Sequence, residues 1–242
     1  MKQAFISLIF ILFIIGCREK KINEFPQLIS KISIKVPEPS GLTFSNDGKN
    51  LITVSDANST IYWMTFKGEI VKQISFDGYD YEAVTSLDKN TIAVALEDLR
   101  EIKYLTEAGK ILFTHKTNIT GEINKGFEGL AFNKKNHHTY IANEKNPCML
   151  LELDDSLQII SQTVINFVSD ISGLFYEEKN DILWLISDES RALVKCDLKG
   201  KLLKKYNIAI EKIEGIAVDS EKKLIYIVSD LDETLYIFKL PE

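Results

Sequence analysis

From Leu28 onward, apolar and polar residues alternate in short runs, each closed by a polar turn. A period of two, with β-branched and aromatic residues and no 3.6-residue spacing, predicts strands rather than helices. Five segments share one signature: Ser40-Gly41-Leu42, Glu82-Ala83-Val84, Glu128-Gly129-Leu130, Ser172-Gly173-Leu174 and Glu214-Gly215-Ile216. From Gly41 through Ala83, Gly129 and Gly173 to Gly215 the steps are 42, 46, 44 and 42 residues. After each signature comes a polar turn such as Ser45-Asn46-Asp47-Gly48-Lys49, which suits a hairpin. A second apolar run then closes on an acid, as in Leu51-Ile52-Thr53-Val54-Ser55-Asp56. Third and fourth runs complete the unit, for example Thr60–Phe66 and Ile70–Ile74.

Four short strands repeating every forty-odd residues are the mark of a propeller blade. The last unit has only three runs, while Leu28–Val36 precedes the first signature without a partner. Joining that run to the last blade closes the ring and removes an exposed edge. The expected fold is therefore all-β, a five-bladed β-propeller of four-stranded antiparallel blades closed by its N-terminal strand.

The first residues break the pattern. After Lys2 the run from Ala4 to Ile15 is apolar apart from Ser7, and it ends in Ile14-Ile15-Gly16-Cys17 followed by Arg18-Glu19-Lys20-Lys21. It is shorter than the about 20 apolar residues that span a bilayer. A basic start, an apolar run and a small residue before a cut describe a secretory signal, and the cut site resembles a bacterial lipobox. The expected organisation is a lipoprotein signal peptide over 1–16, a polar tether over 17–27 beginning at lipidated Cys17, and the propeller over 28–242. Only the lipid would then touch the membrane. The expected location is the bacterial cell envelope, lipid-anchored and exported, on the periplasmic side or the cell surface. An uncleaved N-terminal anchor is the alternative.

Composition narrows the function classes. The 242 residues are 45% hydrophobic and 26% charged, which excludes a disordered chain. A net charge of -6, or -7 once Lys2 is removed, argues against nucleic acid as partner. Cys148 and Cys196 fall at different heights on neighbouring blades, so free thiols are expected rather than a disulfide. A monomer is expected.

Register brings the acids together. Ser40, Glu82, Glu128, Ser172 and Glu214 fall at the start of the five innermost strands, and Asp56, Glu97, Glu144, Asp188 and Asp230 at the ends of the five second strands. Strands alternate in direction, so both sets open on one face. Glu38, Asp80 and Asp170 each stand two positions before an inner residue. Crowded carboxylates must take up protons or bind a cation. An oxygen-rich cluster without sulfur or histidine suits a hard ion, and Ca²⁺ tolerates irregular geometry better than Mg²⁺. Glu82, Glu128 and Glu214 read as metal contacts, joined by the Ser40 and Ser172 hydroxyls. The outer acids read either as further metal or ligand contacts or as solvated loop residues.

The Glu/Ser-Gly-Leu/Ile signature, the Val/Ile-Ser-Asp strand ends and the N-terminal signal resemble the SdiA-regulated (YjiK-like) bacterial proteins, over roughly residues 28 to 242. That resemblance implies a five-bladed propeller distantly related to NHL repeats, with calcium bound in it. It implies no established activity. A departure is Ala83 where other units carry Gly.

Two function classes remain. One is a membrane-tethered, calcium-binding interaction module whose acidic face meets a protein, glycan or small-molecule ligand, with Tyr79 and Tyr81 as candidate contacts or core residues. The other is a calcium-dependent lactonase- or esterase-like hydrolase, in which the ion polarises a carbonyl and mouth carboxylates move protons. Against the second, His115 falls on an outer strand and His137-His138 read as an exposed hairpin tip. No basic cluster lines the mouth to receive a phosphate ester.

Overall fold

The computed structural model describes residues 25–76, 80–88 and 90–241. The expected signal peptide, Cys17, most of the tether and Tyr79 lie outside the described residues. The strands fall into five antiparallel sheets of four. Blade 1 holds β2 (Pro39–Phe44), β3 (Leu51–Ser55), β4 (Thr60–Met64) and β5 (Ile70–Ser75). Blade 2 holds β6 (Tyr81–Ser86), β7 (Thr91–Leu96), β8 (Glu101–Thr106) and β9 (Ile111–Lys116). Blade 3 holds β10 (Phe127–Asn133), β11 (His138–Asn143), β12 (Met149–Leu153) and β13 (Ile159–Val164). Blade 4 holds β14 (Gly173–Glu177), β15 (Ile182–Ser187), β16 (Ala192–Cys196) and β17 (Leu202–Asn207). Blade 5 holds β18 (Ile213–Asp219), β19 (Leu224–Ser229) and β20 (Thr234–Lys239), and β1 (Leu28–Ser33) completes it.

Closure follows the expected route. Lys31 pairs with Tyr236 and Ser33 with Thr234, and the Ile34 amide donates to the Glu233 carbonyl at 2.8 Å. The propeller thus joins its two ends through main-chain hydrogen bonds, which removes an open edge.

Second and third strands are buried on both faces because each blade is covered by its neighbours. Trp184, Ile186 and Leu193 of blade 4 pack on Ile216, Ile225 and Ile227 of blade 5, and four similar apolar clusters fill the other seams. The outermost strands β5 and β13 alternate between half-buried and exposed residues, as a one-sided strand should. Cys148 and Cys196 are free thiols.

Glycine sets how closely the inner strands approach. A Cβ on Gly215 would lie 2.6 Å from the Gly41 carbonyl carbon, and one on Gly41 would lie 2.8 Å from Ala83 Cα. Gly41 also has φ +52, a conformation that favours glycine. Ala83 pairs directly with Ala95, so its methyl group is accommodated by a small partner.

Candidate functional site

The inner glutamates are aimed by bulges. Pairing of β6 with β7 shifts between Tyr81 and Ala83, of β10 with β11 between Phe127 and Gly129, and of β18 with β19 between Ile213 and Gly215. The residue left out of register is Glu82, Glu128 or Glu214 in turn. A bulge re-aims its extra side chain, so the three carboxylates leave the strict alternation of their strands.

A second repeated contact brings the outer acids alongside. The amide of Asp56 donates to the Glu38 carbonyl, Glu97 to Asp80, Glu144 to Gly126 and Asp230 to Lys212, at 2.8 to 3.2 Å. Each carbonyl belongs to the residue two positions before the inner one. Glu38, Asp80 and Lys212 have positive φ values of 41, 58 and 52, uncommon for residues other than glycine. The Ser of the strand-end signature fastens the same loop: Ser55 Oγ donates to Pro37 O, Ser229 Oγ to Glu211 O, and Ser187 Oγ bonds the Asp170 carboxylate. Those serines are structural ties.

The acids converge unevenly. Oxygens of Asp56, Asp80 and Glu82 lie within 4.8 Å of one another, as do those of Asp80, Glu97 and Asp98, and those of Glu97, Glu128 and Glu144. All three groups lie on blades 1 to 3 and the segments joining them. Glu214 stands apart, with Lys212 Nζ 3.9 Å from its Oε1. Asp188 accepts the Lys212 amide, and Asp230 lies in the field of the Lys212 ammonium. Ser172 donates to the Ile213 carbonyl at 2.6 Å and Ser40 to the Glu82 carbonyl at 2.7 Å, so both hydroxyl protons are spent on the next blade's main chain.

Electrostatics follow from that placement. Burial first, then repulsion from Glu82, Glu214, Glu144 and Glu97, holds the Glu128 carboxyl well above the usual carboxylate range. Burial and the Asp56 charge do the same to Glu82. Burial pushes Glu97 up to about 7 despite the Gly126 amide that it accepts at 2.8 Å. Burial raises Glu214 to about 8, against the pull of Lys212. Glu144 is raised by burial and partly relieved by Lys145, whose Nζ is 2.6 Å from its Oε1. Its other oxygen, Oε2, is shielded from solvent with no hydrogen-bond partner. None of the described ion pairs engages Asp56, Asp80, Glu82, Glu97 or Glu128.

The SdiA-regulated family model matches residues 25–239 of this chain. This chain belongs to the SdiA-regulated family. Among solved structures, the SdiA-regulated protein is similar to the glutaminyl cyclase of Myxococcus xanthus, at 12% identity and a TM-score of 0.69, over 90% of this chain and 100% of that one. It is also similar to a streptogramin B lyase, at 14% identity and a TM-score of 0.55, over 88% of this chain and 73% of that one. At such identities the likeness is one of fold.

For this SdiA-regulated protein, the sequence pattern located the acids but not their asymmetry. It singled out neither Asp98 nor the cations Lys145 and Lys212. Asp98 directly follows Glu97, and that doubled acid was the available signal. His115 lies on outer strand β9, as expected. His138 departs from the expected exposed tip: it is half-buried, with Nδ1 2.8 Å from Glu152 Oε1. His137 is exposed and faces Asp88 at 3.6 Å. Tyr81 is fully buried in the blade 1–2 seam and makes no surface.

Proposed function

We propose that the protein is a calcium-binding interaction module of the cell envelope. In this reading a hard divalent cation joins blades 2 and 3 through Glu97, Glu128 and Glu144, with Glu82, Asp56 and Asp80 as neighbouring ligands. One observation carries it: Glu144 Oε2 is buried without a partner beside Glu97 and Glu128, and among the described residues no ion pair reaches those two. The donor set is all oxygen, as a hard cation requires. Such a cation would relieve the mutual repulsion and fix the loops of the acidic face, which would then meet a protein, glycan or small-molecule partner. Glu214, raised by burial and facing Lys212, would stay outside the ligand set, with Ser40 and Ser172 as stitches between blades. Gln27 meets Lys239 at the end of blade 5 away from the acids, so the lipid on Cys17 would hold that opposite end near the membrane and leave the acidic face open.

The binding role is preferred to hydrolysis because the described histidines lie away from the mouth, so proton transfer would fall to the same carboxylates that hold the ion. The test is thermal unfolding of the full chain in millimolar calcium against EGTA. Ligand at a hundred times its dissociation constant stabilises by about 2.7 kcal/mol. A rise of several degrees that Glu128→Gln removes is expected. No rise, or one unaffected by that variant, overturns the site. Calcium-dependent turnover of a lactone or aryl ester would replace the module by the hydrolase.

A further inference from the structure

At the end of the channel away from the acids, all five blades line one open cavity of about 820 Å³. Phe44, Phe132 and Phe175, from three different blades, contribute to its walls, with Val218 from a fourth. Phe44 and Phe175 meet edge to face at 5.8 Å between ring centroids. Small hydroxyl residues, Thr43, Thr85, Ser86 and Ser220, lie between the apolar walls. Ser220 Oγ is shielded and has no hydrogen-bond partner. A volume of this size, with aromatic walls set among polar and charged side chains, is in the range of small-molecule sites.

Charge at the rim is sorted. Of the lining acids, Glu177 is spent on Trp184 Nε1 and Asn180, and Asp219 pairs with Lys222 at 2.8 Å. Lys135 lies against Asp181 and the Glu178 carbonyl. Lys134 and Lys179, on the adjacent hairpins of blades 3 and 4, have no acidic partner among the described residues. Two exposed acids, Glu178 and Glu221, share the rim. Those acids would repel a polyanion, which leaves a single negative charge as what Lys134 and Lys179 could attract.

We propose that this cavity binds a small mono-anion with a flat apolar body, such as an aromatic carboxylate. The rings take the body, Lys134 and Lys179 take the charge, and Ser220 supplies a hydrogen bond. The site is separate from the acidic mouth and does not depend on calcium.

The test is calorimetric titration of the full chain with 2-naphthoate in EGTA. Saturable one-to-one binding is expected. The paired variant Lys134→Glu with Lys179→Glu should weaken it about fivefold, since it replaces two exposed attractive charges by two repulsive ones. The neutral alcohol 2-naphthylmethanol should lose a similar factor. Both lysines are exposed, so the variant should keep the unmodified melting temperature and any calcium response. No saturable binding at millimolar 2-naphthoate overturns the site. Binding that neither the charge reversal nor the neutral alcohol weakens overturns the anion assignment. Loss of the calcium response with 2-naphthoate binding intact would sink the mouth reading alone.

Discussion

Ser172 donates its hydroxyl hydrogen to the main-chain carbonyl of Ile213, 2.6 Å away across the seam between blades 4 and 5. Ser40 makes the same bond to Glu82 across the seam between blades 1 and 2. Where a blade carries serine in place of glutamate, the inner position fastens its neighbour. Ser172→Ala leaves a buried carbonyl unpaired, a loss of about 1–3 kcal/mol. Urea unfolding should register it, while the calcium-induced rise in melting temperature stays as it was. Loss of that rise would return Ser172 to the ligand set.

The raised carboxyls fix the sign of the pH dependence. In the folded state Glu97 and Glu214 keep their protons up to about 7 and about 8, and Glu82 and Glu128 are also raised. Unfolded glutamates release theirs near about 4.3. Between those limits the folded state binds more protons, so its stability is full below about 4.3 and falls as pH rises. Calcium-free protein should therefore melt lower at pH 8 than at pH 5, by more than about 5 °C. Calcium, which takes the place of those protons, should flatten the curve. A melting temperature that rises with pH in EGTA would contradict the burial of these groups.

Glycine spacing gives a third expectation. Gly215→Ala would place a methyl group 2.6 Å from Gly41 main chain, which cannot swing aside. A loss above about 2 kcal/mol is expected in urea unfolding. Gly48→Ala, with open space around it and φ +67, should cost only about 1 kcal/mol of backbone strain. Equal losses at the two positions would contradict the close strand approach.

The anchor makes a fourth. Cys17→Ser should move the protein from the membrane fraction to the soluble one after cell lysis. Retention in the membrane would favour the uncleaved anchor.

The blades were legible in the sequence because each repeats the same local pattern, and Leu28–Val36 had only one place to pair. The acids were legible for the same reason: Glu128 and Glu144 occupy fixed positions relative to Gly129 and to the end of β11. Their uneven grouping was not, because it depends on contacts between blades. Lys212 comes to face Glu214 across the loop before β18, where it has a positive φ, and Lys145 reaches Glu144 beyond the end of β11. The bulges that aim Glu82, Glu128 and Glu214 leave no local signature beyond the small residue that follows. The opposite cavity was hidden too, since Phe44, Phe132 and Phe175 come from three blades and meet only when the ring closes.

The proposed cation sits among Glu97, Glu128 and Glu144. A high-resolution crystal structure grown in calcium tests it most directly. Anomalous density is expected beside Glu144 Oε2, with carboxylate oxygens at about 2.3–2.6 Å. Carboxyls bonded to one another through shared protons at neutral pH, with no anomalous peak between them, would contradict it.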